Sequence, residues 1–216
     1  MHINLKKFWK KIVDFIKSLF YKDEDIPEPT PEPEPEPTPQ PPSEDFIPPT
    51  RTGAGEWTGN GKFNTFKDCG RKNEKSSSNV IVSGWFNANG WSGGGSEQPS
   101  GFCFANKGRL GSHWGLNLTV RPNALVWNST KGEITASASI STKAWHHVKA
   151  EATQSNVKFW LNGKLLKTGT KPFAGSIIQD SSEPLRVGGF ECPWPNAIWF
   201  NQSLNGRISD VSVEMK

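Results

Sequence analysis

The sequence predicts an all-β fold, an antiparallel β-sandwich of the jelly-roll type, preceded by an N-terminal amphipathic helix and a Pro-rich linker. Three observations lead to that class. Beyond residue 51 the chain is a series of short apolar runs separated by Gly, Pro, Asn and Ser, with no helical period after residue 22. The stretch 144–163, AWHHVKAEATQSNVKFWLNG, alternates apolar and polar positions in two runs. The composition pairs 10 Trp and 13 Phe with 21 Gly and 17 Pro but only 1 Tyr. Many rings among many turn formers suit a small-strand domain that also shows some aromatics on its surface.

The chain of 216 residues divides into three parts by composition. Residues 1–22 are expected to form an anchor or oligomerisation helix. Leu5, Trp9, Ile12, Ile16 and Leu19 recur at spacings of four and three, and Phe8, Val13, Phe15 and Phe20 widen the stripe. Lysines fill the flanks and the opposite face. So short a helix is marginal alone in water, so its stripe needs a cover. Copies of itself, a groove on a larger assembly and an anionic membrane surface all fit, with protein contact preferred and a homo-oligomer expected.

Residues 23–50 form a Pro/Glu-rich extended linker. The run PEPTPEPEPEPTPQPP removes backbone donors and fixes φ, excluding helix and sheet. A polyproline II conformation at ~3.1 Å per residue gives a stalk reaching on the order of 85 Å. Residues 51–216 form the globular domain. Strands are expected at 80–85, 101–105, 114–121, 124–128 and 133–139, then in the hairpin of 145–163. There Val148 and Ala150, then Val157, Phe159 and Leu161, face the core; a polar turn joins the two strands, and Asn162-Gly163 supplies turn chemistry at the end of the second. Ile208, Val211 and Val213 mark a last strand.

Charge is segregated along the same boundaries. Residues 1–22 carry six Lys and one Asp, residues 23–50 nine acids and no base, and residues 51–216 nineteen bases and eleven acids. A basic domain suits an anionic partner, although solubility is the simpler reading. The bases form no run, so nucleic acid is not expected. Cys69, Cys103 and Cys192 have no zinc spacing, and three reduced thiols or one disulfide with one free thiol both satisfy the count. No segment has the ~18 apolar residues needed to span a bilayer, and Lys10, Lys11, Asp14 and Lys17 interrupt the N-terminal apolar residues where a signal peptide would be continuous. Asn117, Asn128 and Asn201 head N-glycosylation sequons, read here as chance matches.

VIVSGWF (80–86), WHHVKA followed by VKFWLNGK, PLRVGG (184–189) and LNGRISDVSVEMK (204–216) come in an order that resembles the laminin-G-like branch of the concanavalin A-like lectin/glucanase superfamily. The likeness covers 80–216, with a fainter trace at 55–66. It implies a sandwich whose last strand runs beside its first, and recognition of a surface, often a glycan. It also implies that His146 and His147 belong to the structural strand pattern; neighbours on a strand point to opposite faces and cannot share a ligand. Hydrolases of the superfamily carry two carboxylates in E-x-D-x-E, which is absent here, so no catalytic residue is assigned and an enzyme is disfavoured. Some relatives of that kind bind calcium through loop carboxylates; no Asp-rich loop supports it in this chain, so no cofactor or metal is assigned.

Sugars stack their C–H faces on indoles and need amides or charged groups for their hydroxyls. The candidate ligand-binding residues are therefore Trp91 in the long loop 87–101, Trp160 on the polar side of its strand, and Trp194 and Trp199 in ECPWPNAIWFN. Trp160 should be exposed or lie under a loop. A lectin-like domain on a stalk without an export signal suggests a virion protein, such as a phage fibre or decoration protein. It would be made in the cytoplasm, assembled on a capsid or tail through the helix, and displayed towards host glycans. A cell-surface setting, a purely structural role and a hydrolase-like enzyme are the alternatives.

Overall fold

A computed structural model describes residues 5–20, 44–62, 65–70, 79–91, 100–107, 116–129, 132–170, 184–189 and 203–215. The chain forms two units, Met1–Pro41 and Pro42–Lys216. In the first, α1 spans Leu5–Phe20 as the periodicity predicts. Trp9, Phe15 and Ile16 are exposed and Ile12 is half-exposed; the side chains of Leu5, Phe8 and Leu19 lie outside the described residues.

The second unit is a two-sheet antiparallel sandwich. Its strands are β1 (Trp57–Asn60), β2 (Lys67–Asp68), β3 (Val80–Gly90), β4 (Phe102–Lys107), β5 (Leu116–Arg121), β6 (Ala124–Ser129), β7 (Gly132–Ser137), β8 (His146–Ala152), β9 (Asn156–Leu161), β10 (Lys164–Thr170), β11 (Leu185–Val187) and β12 (Asn205–Met215). One sheet has the order β1-β12-β3-β8-β9-β10 and the other β2-β11-β4-β5-β6-β7. Alternation decides which side chains meet between the sheets. Val82, Phe86, Val148 and Phe159 from the first sheet pack on Phe102, Phe104, Leu118 and Trp127 from the second, all essentially inaccessible. Phe86 meets Phe102 edge to face at 5.4 Å between ring centroids, an arrangement aromatic quadrupoles favour.

The expected strands are present, with ends shifted by a few residues. The last strand does lie beside the first long one: β12 pairs with β3 from Met215↔Val80 to Asn205↔Gly90. Asn162 and Gly163 take φ of 51° and 84°, the left-handed pair that a tight β8-neighbouring hairpin turn between β9 and β10 requires. β1, β2 and β10 go beyond the sequence reading. β10, KLLKTGT, lacks alternation because its pairing with β9 shifts register between Leu165 and Lys167.

One boundary moves. Residues 44–50, read from sequence as the end of the linker, pack on the sandwich. Phe46 N–H donates to the Gly163 carbonyl at 2.9 Å, Leu165 N–H donates to Asp45 Oδ1 at 2.7 Å, and Lys158 Nζ lies 2.6 Å from Glu44 Oε2. Proline excludes regular structure from such a segment but does not prevent it from docking along a sheet.

Candidate functional site: the polar face of the second sheet

The outer face of the second sheet carries a row of polar side chains across all six strands. Register places Asp68 of β2 opposite Arg186 of β11, Arg186 opposite Asn106 of β4 and Asn106 opposite Asn117 of β5. Asn128 of β6 continues the row by donating Nδ2–H to Asn117 Oδ1 at 3.2 Å, and Asn128 stands opposite Glu133 of β7. Asn106, Asn117 and Arg186 are buried, as is Thr119 beside them, while Asp68 and Glu133 at the ends are exposed.

Hydrogen bonding in the row is incomplete. Asn117 Oδ1 accepts from Thr119 Oγ1 at 2.9 Å, and Asn128 Nδ2 also donates to Thr119 Oγ1 at 3.0 Å. Asn106 Nδ2 makes a long 3.4 Å contact with the Leu116 carbonyl. Among the described residues, Asn117 Nδ2 and Asn106 Oδ1 have no partner although both are buried. An unpaired buried amide atom costs about 1–3 kcal/mol, so two in one row are a recurring expense of this sheet face. The unused groups are one donor and one acceptor on facing residues, the complement of a hydroxyl. Cys103 borders the row as a free, buried thiol, and burial pushes its pKa well above the usual thiol range, so it is an inert neighbour. Cys69 is exposed; Cys192 lies outside the described residues.

The row's carboxylates cannot act as a hydrolytic pair. Asp68 and Glu133 sit on opposite edge strands, about 24 Å apart at the usual interstrand spacing, against the 5–9.5 Å that glycoside hydrolysis uses. Asp180 and Glu183, a close pair in sequence, lie outside the described residues. Asp210 is committed elsewhere: it accepts from the N–H of Thr52 at 3.2 Å and of Gly53 at 3.0 Å, and from the Thr52 hydroxyl. Desolvation acts against the charged form, but these hydrogen bonds and one from Ser209 prevail and lower its pKa to about 2. Among the described residues no group of three or more His, Cys, Asp or Glu could hold a metal ion.

The outer face of the first sheet is occupied by the chain's own segment 44–56. Trp160, expected to be exposed or under a loop, lies under that segment and is only 4% exposed. Phe46 meets its ring edge to face at 6.3 Å, and Lys149 Nζ sits 4.5 Å from the ring centroid. No face of Trp160 is open to a sugar while the segment stays docked. Phe46 also meets His147, which Trp85 contacts from another side at 5.2 Å. Burial, with the nearby Lys149 charge, lowers the His147 pKa to about 4. His146 points the other way, towards Phe86; its Nε2 lies 3.0 Å from the Ser141 carbonyl and its Nδ1 3.2 Å from Asn162 Nδ2. The Ser141 carbonyl can only accept, so Nε2 is the donor in that contact. The His pair thus does face opposite ways.

Trp91 directly follows β3. It is half-buried and stacks on Phe102 at 6.3 Å with ring planes 18° apart, which closes one end of the core with one of its faces. Trp194 and Trp199 lie outside the described residues, in the connection between β11 and β12. Sequence reasoning missed the polar row. The available signal was Asn inside three largely apolar strands, FCFANK, LNLTVR and ALVWNS, where Asn is disfavoured. Two of these asparagines drew notice only as sequons, and Asn117, fully buried, is closed to glycosylation in the folded chain.

Residues 65–215 match the family model described as the concanavalin A-like lectin/glucanases superfamily. Among solved structures, a putative carbohydrate-binding protein from Bacteroides ovatus matches with a TM-score of 0.53 and 16% identity, over 76% of this chain and 44% of that one. The CBM40 of Ruminococcus gnavus IT-sialidase, bound to α2,3-sialyllactose, gives 0.52 and 12%, over 74% and 92%. Domains LG4-5 of the mouse laminin α1 chain give 0.51 and 12%, over 71% and 39%. The chain thus spans well under two thirds of the laminin and Bacteroides chains, and at these identities the likeness is one of fold. No curated protein sequence matches the chain.

Proposed function

The chain belongs to the concanavalin A-like lectin/glucanases superfamily, and from that premise we propose that it is a non-catalytic glycan-recognition protein, displayed at a surface on the stalk of residues 23–43. The observation that carries this reading is the row Arg186–Asn106–Asn117–Asn128, in which facing amides keep an unused donor and an unused acceptor. Arg186, Asn106 and Asn117 are buried, so a sugar meets this row only where whatever buries it gives way; it then finds one hydrogen-bonding position for each interstrand step of ~4.8 Å. An extended oligosaccharide lying across the strands is the ligand class that suits such a row. Trp194 and Trp199, in the segment that leaves β11 just after Arg186, supply the stacking surfaces in this proposal, and Trp91 offers the ring face that Phe102 leaves free.

Single sites of this kind bind weakly, and a stalked array raises avidity without new contacts. Display on a virion, or alternatively on a cell surface, belongs to the same proposal and is supported by the order of helix, stalk and domain. The test is binding of the full chain, biotinylated and presented on streptavidin, to a broad array of glycans and bacterial polysaccharides. Saturable binding to a related set of sugars, weakened by Trp194→Ala or Trp199→Ala with an unchanged melting temperature, is the expected result. Absence of binding at high valency would overturn it in favour of a structural role.

A further inference from the structure

The helix α1 presents a second recognition surface, independent of the glycan reading. Its sixteen residues form a helix divided along its length. At 100° per residue the apolar positions between Leu5 and Phe20 fill one arc of about 160°, from Phe15 at one edge to Val13 at the other. Trp9 is 59% and Phe15 63% exposed, with Val13 and Ile16 close to half exposed. Such a face is too large to leave in water.

The charges say what kind of partner covers it. Lys11 borders the Phe15 edge of the apolar arc, and Lys6 and Lys17 border the Val13 edge. The one acid, Asp14, falls at the middle of the polar arc, as far as the helix allows from the apolar face. A second copy of the helix would want acids beside the seam to pair with these lysines, and there are none. Phe8, Phe15, Val13 and Phe20 occupy the seam-flanking positions instead. Lysines at both margins, bulky rings on the apolar side and the acid turned away are the arrangement of a helix lying in a lipid headgroup layer, with lysine stems reaching sideways to lipid phosphates.

We propose that α1 binds an anionic lipid surface, lying in its plane, and that this is what tethers the chain. No described helix is long and apolar enough to cross a membrane. The acidic residues 23–45 that follow carry no base to offset them, so the surface that attracts the helix repels the stalk and directs it away within the reach of the surface potential.

The experiment is co-sedimentation of the full chain with vesicles of phosphatidylcholine, with or without phosphatidylglycerol, at low and high salt. Pelleting in the absence of vesicles serves as the baseline, and size-exclusion chromatography with light scattering is run without lipid. The chain is expected to pellet with the anionic vesicles alone, to be released by salt, and to lose binding about tenfold with Ile12→Asp. The double variant Lys6→Glu/Lys17→Glu, which keeps the apolar face, should lose the preference for phosphatidylglycerol. Equal retention on both vesicle types, or none on either, would overturn the proposal. A discrete lipid-free oligomer that Ile12→Asp dissociates and that ignores anionic vesicles would overturn it in favour of self-association.

Discussion

Trp160 donates its indole N–H to the main-chain carbonyl of Glu44 at 2.9 Å, across 116 positions of sequence. That bond fastens the segment that begins at Glu44 to the sandwich. The ring is buried because residues 44–48 lie over it, and Phe46 is held in turn by Trp160, His147, Lys149 and the Gly163 carbonyl. Trp160→Phe keeps a ring and removes the donor, and should cost about 1 kcal/mol of stability. Trp160→Ala should cost about 3 kcal/mol. Chemical denaturation of the full chain reads both, and a Trp160→Ala variant as stable as the parent would contradict the docking.

Gly163 tests the same contact from the other side. Its φ is 84°, and a Cβ there would stand 2.0 Å from the Phe46 carbonyl oxygen. Gly70 has nearly the same φ, 83°, but nothing within 4 Å. Gly70→Ala should therefore cost about 1 kcal/mol, the conformational penalty alone. Gly163→Ala adds a clash with main chain and should cost at least about twice as much. Equal melting-temperature losses for the two variants would show that the segment gives way freely.

How much of this was legible in the sequence depended on range. The β8–β9 hairpin and the turn that ends β9 declared themselves in 144–163 because alternation and Asn-Gly turn chemistry are local signals. β3 and the last strand, β12, were recognised from local apolar residues as well, without an assigned core face for β3. Trp160 shows where local signals stop: its strand gave the face correctly, but what covers that face is a proline-bearing segment 116 positions away, and alternation carries no information about it. β10 was hidden by its register shift. The polar row was hidden for a third reason, since Asn106, Asn117 and Asn128 come together only when β4, β5 and β6 are laid side by side. Of the proposed ligand tryptophans, only Trp91 and Trp160 fall within the described residues, and both make packing contacts.

His147 predicts a pH dependence. Its pKa falls from the ordinary 6.5 to about 4 in the folded chain. Between those values the unfolded chain binds the proton and the folded one does not, so stability is complete above about pH 6.5 and declines as pH falls towards 4. The slope approaches about 1.4 kcal/mol per pH unit within that window. His147→Gln should flatten the dependence in urea titrations at pH 7, 6 and 5. A slope unchanged by the substitution would assign it to other groups.

Asp210 acts lower on the pH scale. It sits at φ 52° in the β12 bulge, where its own N–H donates to the Ala54 carbonyl at 2.8 Å. Its carboxylate, with a pKa of about 2 against the usual 3.8, favours the fold above pH 3.8, and that contribution is lost as pH falls through 2. Asn tolerates the left-handed conformation and keeps one accepting oxygen, whereas Ala keeps neither advantage. Asp210→Asn should therefore be milder than Asp210→Ala, which is expected to cost about 1–2 kcal/mol. The reverse order in thermal melts would show that charge alone, and not backbone conformation, holds residues 52–54.

Asn106 separates a site from a scaffold, because stability and binding should move in opposite directions there. Its Oδ1 is buried without a partner and its Nδ2 has one long contact. Replacing it by Leu, of similar size, removes an unpaired polar group from a buried position, so the fold should gain about 1 kcal/mol. If the row reads sugar hydroxyls, the same change deletes an acceptor that only the ligand satisfies, and glycan binding should fall about tenfold. Melting temperature and array binding on the one variant decide the matter. A stabilised Asn106→Leu protein with undiminished binding would remove the row from the site and shift attention to the tryptophans of the β11–β12 connection. A destabilised one would mean that Asn106 is satisfied in solution and belongs to the scaffold.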